Sequence, residues 1–174
     1  HNLGGIPMIN RIVVTLKQLS YHTKLVKVIV VVGKYKNEIK QSIDLLENLL
    51  NISYVTQDEP LGTGHAIMCC EKELTKYKDS DVLILSGDVP LLGVHTIKEL
   101  LSLKTDIKLI TTKLEDPRGY GRIITQHGLF VKIVEQKDCD INQMCEKTIN
   151  GGIYCVTSHL LCKYLKELNN KWAT

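Results

Sequence analysis

Three groups of polar residues and glycines in this sequence have types and spacing suited to binding a polar ligand. Each lies at an end of an apolar, strand-like run. The first is Gln57-Asp58-Glu59-Pro60-Leu61-Gly62-Thr63-Gly64-His65-Ala66. Gly62 and Gly64 let the backbone come close to a ligand. Amide groups at the start of a following helix can bind a carbonyl or an anion. The Gln57 amide both donates and accepts, so it can read the edge of a base. The same stretch also fits a plain loop, with glycine serving the turn and Thr63 capping the helix. His65 invites a reading as a base, but its place at a helix start fits a structural or loop-orienting role better.

The second group is Ser86-Gly87-Asp88-Val89-Pro90-Leu91, directly after the apolar run 82–85. A carboxylate there can hold Mg²⁺ with few protein ligands and several phosphate oxygens. Equally, Asp88 can be a turn residue ahead of Pro90. The third group is distributed: Gly119-Tyr120-Gly121-Arg122, then Glu135, then Asn150-Gly151-Gly152. A glycine, a carboxylate and an amide brought together could hold a sugar's hydroxyls and N-acetyl group. Taken one at a time, each of these residues is more often structural. No Ser-His-Asp or Cys-His arrangement is present to suggest a protein nucleophile, so no catalytic residue is assigned.

These groups need elements to position them. Strand-like runs rich in β-branched residues occupy 25–32, 52–57, 81–86 and 107–114. Helix-like stretches with apolar residues at helical spacing fill 7–19, 36–50, 64–77 and 94–103. Pro7 suits a first helical turn. The run Val28-Ile29-Val30-Val31-Val32 is apolar at every position, which indicates burial on both faces. Strand–helix alternation of this kind predicts an α/β, doubly wound, mainly parallel sheet, in which ligands bind at the carboxyl ends of strands. After residue 114 the pattern changes. Runs at 120–125 and 129–135, joined by Gln126-His127-Gly128, predict a small β-hairpin subdomain. A polar stretch at 137–147, a strand at 149–156 and a helix at 158–168 follow.

Composition narrows the function classes. The 174 residues suffice for one domain, of which 44% are hydrophobic and 24% charged. A net charge of +3, with lysines interleaved among acids, forms no basic stripe, so nucleic acid is not an expected partner. No apolar run approaches a membrane span, and none is expected. The six cysteines show no CxxC pair or secretory context, so reduced, structural thiols in the cytoplasm are expected.

Together the groups are far more specific than each alone. The segments PMINRI, QDEPLGTGHA, LILSGDVPLL, LEDPRGYGRII, IVEQKD and INGGIY occur in an order and spacing similar to the uridylyltransferase domain of bacterial N-acetylglucosamine-1-phosphate uridylyltransferases. The resemblance covers nearly the whole chain. It implies a Rossmann-like nucleotide-diphospho-sugar transferase fold. It implies joining of UTP to N-acetylglucosamine 1-phosphate, giving UDP-N-acetylglucosamine and pyrophosphate, with Mg²⁺. By motif, Gln57 and the Gly62-Thr63 backbone would hold uracil, Asp88 the metal, and Gly121, Glu135 and Asn150 the sugar. Such transfer depends on in-line positioning and charge cancellation more than on a protein nucleophile.

The sequence also departs from that pattern. The family's LAAGxGTRM-like phosphate loop has no counterpart, nor has a second phosphate-binding lysine that would precede His1. Gly5-Ile6-Pro7-Met8 stands where GKPM is common, and Ser86 where tyrosine is common. A second metal ligand, an asparagine, would lie beyond Thr174. The resemblance therefore implies one domain over 1–174, incomplete at both ends. Two other readings stay open: a transferase for another base or sugar, and a non-catalytic sugar-nucleotide-binding domain.

Overall fold

The computed structural model describes residues 1–46, 50–165 and 167. A two-residue ladder, β1 (Asn2–Leu3) against β2 (Ile6–Pro7), leads into helix α1 (Met8–Ser20). Pro7 sits at the N-cap of α1, where the missing amide proton costs no helical bond. Ile12, Val13, Leu16 and Leu19 recur at helical spacing and are all buried. Asn10, also buried, donates from Nδ2 to the Ser42 carbonyl at 3.3 Å and accepts from Ser42 Oγ at 2.9 Å. Those two bonds tie α1 to α2 (Lys36–Asp44).

Strands β3 (Val28–Val32) and β4 (Ile52–Thr56) pair in parallel from Val28↔Ile52 to Val32↔Thr56, with α2 as the crossover. The region between β4 and β5 (Asp81–Ile84) holds α3 (Thr63–Met68), α4 (Glu71–Leu74) and a 3₁₀ turn at Thr75–Tyr77. The single helix expected over 64–77 is thus broken, at Cys69-Cys70. Helix α5 (Val94–Ser102) precedes β6 (Ile107–Lys113). Strands β7 (Arg122–Gln126) and β8 (Leu129–Val134) form the expected hairpin. His127 and Gly128 both have positive φ, 51° and 77°, as a tight two-residue hairpin turn demands. Helix α6 (Ile141–Met144) carries a capping box between Asp140 and Gln143. The long strand β9 (Thr148–Thr157) then leads into α7 (Ser158–Leu165). The expected extensions of α2 through 47–49 and of α7 through 166 and 168 lie outside the described residues.

The α/β, Rossmann-like class holds, and within it the sheets are mixed in direction. Among the described strands only β3 and β4 pair in parallel; β5, β6 and β7 all pair with β9 antiparallel. One edge of β9 carries β6, and the other carries β5 and, nearer its start, Arg122 of β7. A continuous apolar run reports burial on two faces, and burial is blind to strand direction.

Side chains alternate across the strands, and both faces are covered. Val28, Leu83 and Leu85 pack with Ile12, Leu16, Leu19 and Ile97 of α1 and α5. Ile29, Val31, Val55 and Val82 pack on the other side against Cys70, Leu74 and Leu165. The two sheets therefore share both apolar layers. Lys108 and Arg122 are charged residues buried within the sheet, and the Lys108 ammonium group lies 3.1 Å from Asp81 Oδ2. All six cysteines are free. Among the described residues no helix is long and apolar enough to cross a membrane.

Candidate active site

The first group of residues closes the end of β4. The Gln57 amide extends the β3–β4 ladder by donating to the Val32 carbonyl at 2.8 Å. Its side-chain Nε2 donates to the Gly62 carbonyl at 3.1 Å and lies 3.0 Å from His65 Nδ1. A donating Gln57 amide makes Nδ1 the acceptor, so the His65 proton is assigned to Nε2. His65 thus braces Gln57. Gly62 occupies the N-cap of α3 with φ 98°, a conformation that favours glycine. No side chain caps this helix, so the capping role open to Thr63 is not used. Gly62, Thr63 and Gly64 are exposed, and first-turn amides have no intrahelical acceptor.

The second group caps the end of β5. Val89 donates to the Ser86 carbonyl at 3.3 Å, which makes Gly87 and Asp88 the central residues of a turn. Asp88 is exposed. Among the described residues no three His, Cys, Asp or Glu side chains gather into a metal cage. A single hard oxygen donor in an open turn does fit Mg²⁺, which keeps waters and takes phosphate oxygens from its substrate. A small cleft beneath this turn is lined mainly by apolar side chains, among them Ile12, Leu85, Val89 and Ile97. It contains no charged group and suits neither phosphate nor metal.

The third group, scattered over thirty residues of sequence, is brought together by the strands. Arg122 of β7 pairs with Val134 on β8 and with Ile149 on β9. Each of the three neighbours a site candidate: Gly121 precedes Arg122, Glu135 follows Val134, and Asn150 follows Ile149. The Asn150 amide donates to the Gly121 carbonyl at 2.9 Å. A methyl group on Gly121 would stand 3.2 Å from Glu135 Oε1 and 3.1 Å from Ile133 Cγ2. Glycine therefore keeps the backbone open beside the carboxylate. Asn150 Oδ1 accepts from the Gly152 amide at 3.1 Å, and its Nδ2 donates to the Tyr154 hydroxyl.

The Asn150-Gly151-Gly152 sequence is a bulge in β9. Leu109 pairs with Tyr154 but Thr111 with Asn150, so β9 carries two extra residues there. Gly152 takes up φ 69°, and a Cβ on it would lie 3.9 Å from Cβ of Ser86. The bulge thus brings Gly152, two residues from Asn150, against Ser86 at the start of the Ser86–Asp88 turn. Gln57, Gly62 and Thr63 belong to the other sheet, at the end of β4.

Sequence reasoning missed two supporting residues. The Gly119 amide donates to Gln136 Oε1, which fastens the loop before β7 to the end of β8. The Tyr154 hydroxyl, noted above, holds the Asn150 amide. Tyr154 lies four residues from Asn150 in a bulged strand, a relation without a simple period. In the same loop the Arg118 guanidinium bonds both oxygens of Asp116 and draws its carboxyl down to about 2.

Known proteins share this chain's sequence and fold over most of its length. The chain is 37% identical to bifunctional protein GlmU of Clostridium botulinum strain 657 over 98% of its length, which is 36% of that relative. It is 37% identical to bifunctional protein GlmU of Coxiella burnetii, again over 98% of this chain and 36% of the relative. The chain thus spans about a third of the length of these relatives. A Bacillus anthracis protein described as a glucose-1-phosphate thymidylyltransferase, solved with sucrose, has a similar fold. Its TM-score is 0.73 at 21% identity, over 97% of this chain and 65% of that one. HddC from Yersinia pseudotuberculosis, complexed with GMP-PN, matches with TM-score 0.66 at 20% identity, over 94% of this chain and 68% of its own. The nucleotidyl transferase family model matches residues 3–173, and the chain belongs to that family.

Proposed function

We propose that the protein transfers the uridylyl group of UTP to N-acetylglucosamine 1-phosphate, releasing pyrophosphate and giving UDP-N-acetylglucosamine. The observation that carries this reading is the convergence of Gly121, Glu135 and Asn150 at β9, the strand whose Gly152 meets Ser86. A carboxylate, an amide and an open backbone suit the hydroxyl and N-acetyl groups of an amino sugar. Identity of 37% to proteins named GlmU supports the same choice.

In this reading the Gln57 side chain, braced by His65, and the exposed backbone of Gly62-Thr63 hold uracil. Gly121, Glu135 and Asn150 orient the sugar so that its phosphate faces the nucleotide's α-phosphorus in line. Asp88 holds a divalent cation, Mg²⁺, which supplies neutralisation of phosphate charge when bound. No side chain acts as a nucleophile; positioning and electrostatics carry the transfer. Six free thiols suit a reducing cytoplasm, the proposed location. The test is pyrophosphate release by the full-length protein from UTP and N-acetylglucosamine 1-phosphate, with Mg²⁺ and with EDTA. Release that requires both substrates and the cation supports the reading. Sugar-nucleotide binding with no release would make this a binding domain instead.

A further inference from the structure

Arg122 has the largest side chain among the fully buried residues, with 2% exposure. It forms no ion pair among the described residues, and its Nε has no hydrogen-bond partner. A buried guanidinium held this loosely is a poor device for stability, since an apolar side chain of similar size would avoid the desolvation cost. The bond it does make runs from Nη1 to the Tyr120 carbonyl, one residue before Gly121. Its charge also reaches the start of the same loop: after Arg118, it contributes to holding the Asp116 carboxyl low. Arg122 pairs with Val134 and Ile149 at once, so its backbone lies at the point where the sugar candidates' three strands meet. Side chains alternate along a strand, so the guanidinium and the Gly121 position lie on opposite sides of β7.

Building on the function proposed above, we infer that Arg122 is a positioning residue for the sugar pocket. From behind β7 it holds the Tyr120 carbonyl and so fixes the 116–121 loop and the Gly121 backbone against Glu135 and Asn150. It touches no substrate. The uracil station on β4 does not depend on it, and this separates a positioning role from a merely structural one. Losing the Tyr120 bond frees Gly121 and loosens the sugar's contacts alone.

The experiment compares the full-length parent with Arg122→Met and Arg122→Lys, measuring KM for each substrate. In Arg122→Met, KM for N-acetylglucosamine 1-phosphate should rise about tenfold to a hundredfold, the range for a lost charge-assisted bond. KM for UTP should stay within about twofold. Lysine retains a charged donor, so Arg122→Lys should fall between parent and Arg122→Met. Parental KM values in folded Arg122→Met, or equal changes for both substrates, would overturn the inference. If Arg122→Met does not fold, Arg122→Lys decides: a raised KM for the sugar phosphate alone supports the role, and unchanged or equally changed values overturn it. If the parent shows no turnover, the proposed reaction fails by itself. Calorimetric binding of UDP-N-acetylglucosamine and of UTP then decides the Arg122 role: selective weakening of the sugar nucleotide in the variants supports it, and any other pattern, including no binding by the parent, overturns it.

Discussion

Asp88 and the buried thiols show how environment sets what a residue can do. Asp88 projects from an exposed turn, and among the described residues no three His, Cys, Asp or Glu side chains gather into a metal cage, so its value lies in what a ligand brings. Asp88→Asn should weaken Mg²⁺-dependent UTP binding about tenfold or more. Its thermal unfolding should change little, as expected for an exposed turn substitution. Calorimetry with and without Mg²⁺ checks this, and parental binding would leave Asp88 as a turn residue only. The thiols are the opposite case. Burial pushes Cys70 up to about 11 and raises Cys155 as well, whereas Cys145 is exposed. Thiolates are the reactive form, so at pH 8 alkylation should reach Cys145 well before Cys70 or Cys155. Mass spectrometry of timed reactions reads the order directly. Linkage has a definite sign here. Between the ordinary thiol range and about 11, the unfolded chain binds fewer protons than the folded one at Cys70, so stability should fall as pH rises through that window.

The bulge in β9 shows what an element adds to its residues. Gly151 lies so close to β6 that a Cβ would stand 2.8 Å from the Ile110 carbonyl oxygen, which is backbone and cannot rotate away. Gly151→Ala should therefore force β6 and β9 apart at the Asn150 station. The expected cost is about 1–3 kcal/mol, as for other overpacked sites, measurable by urea unfolding. Unchanged stability would mean that the two strands part freely. In the sequence alone, the stretch Asn150-Gly151-Gly152 reads as a site candidate at the opening of a strand, not as a bulge. The bulge depends on the partner strand, which lies forty residues earlier in the sequence. Strand positions at 28–32 and 81–84 are legible because β-branched runs mark them; the antiparallel course of β9 is not, because apolar runs carry no direction. The hairpin is legible down to its turn, since His127-Gly128 supplies the positive φ values locally. Among the site candidates, the nearness of Gly121 to Glu135 and Asn150 comes only from the pairing of three strands.

At the scale of the whole molecule, two sheets that share no described hydrogen-bonded ladder are joined through common apolar layers. Ile97, with 0% exposure, sits in the layer that touches both Val28 of one sheet and Leu83 of the other. Ile97→Ala should cost about 2–5 kcal/mol through the cavity it leaves. Hydrogen exchange should show amides of β3 and β5 losing protection together; loss confined to one sheet would contradict a shared core. The same union sets the uracil candidates on β4 and the sugar candidates around β9 on one body, and the proposed function rests on which base and which sugar that body joins. Its most direct test is a single reaction of the full-length protein with equal concentrations of UTP, CTP, GTP and dTTP, together with N-acetylglucosamine 1-phosphate and glucose 1-phosphate. Mass spectrometry then identifies the nucleotide sugars formed. Under the proposed function UDP-N-acetylglucosamine is the main product, formed with an equal amount of pyrophosphate. A different base or sugar in the main product, or no nucleotide sugar at all, would contradict it.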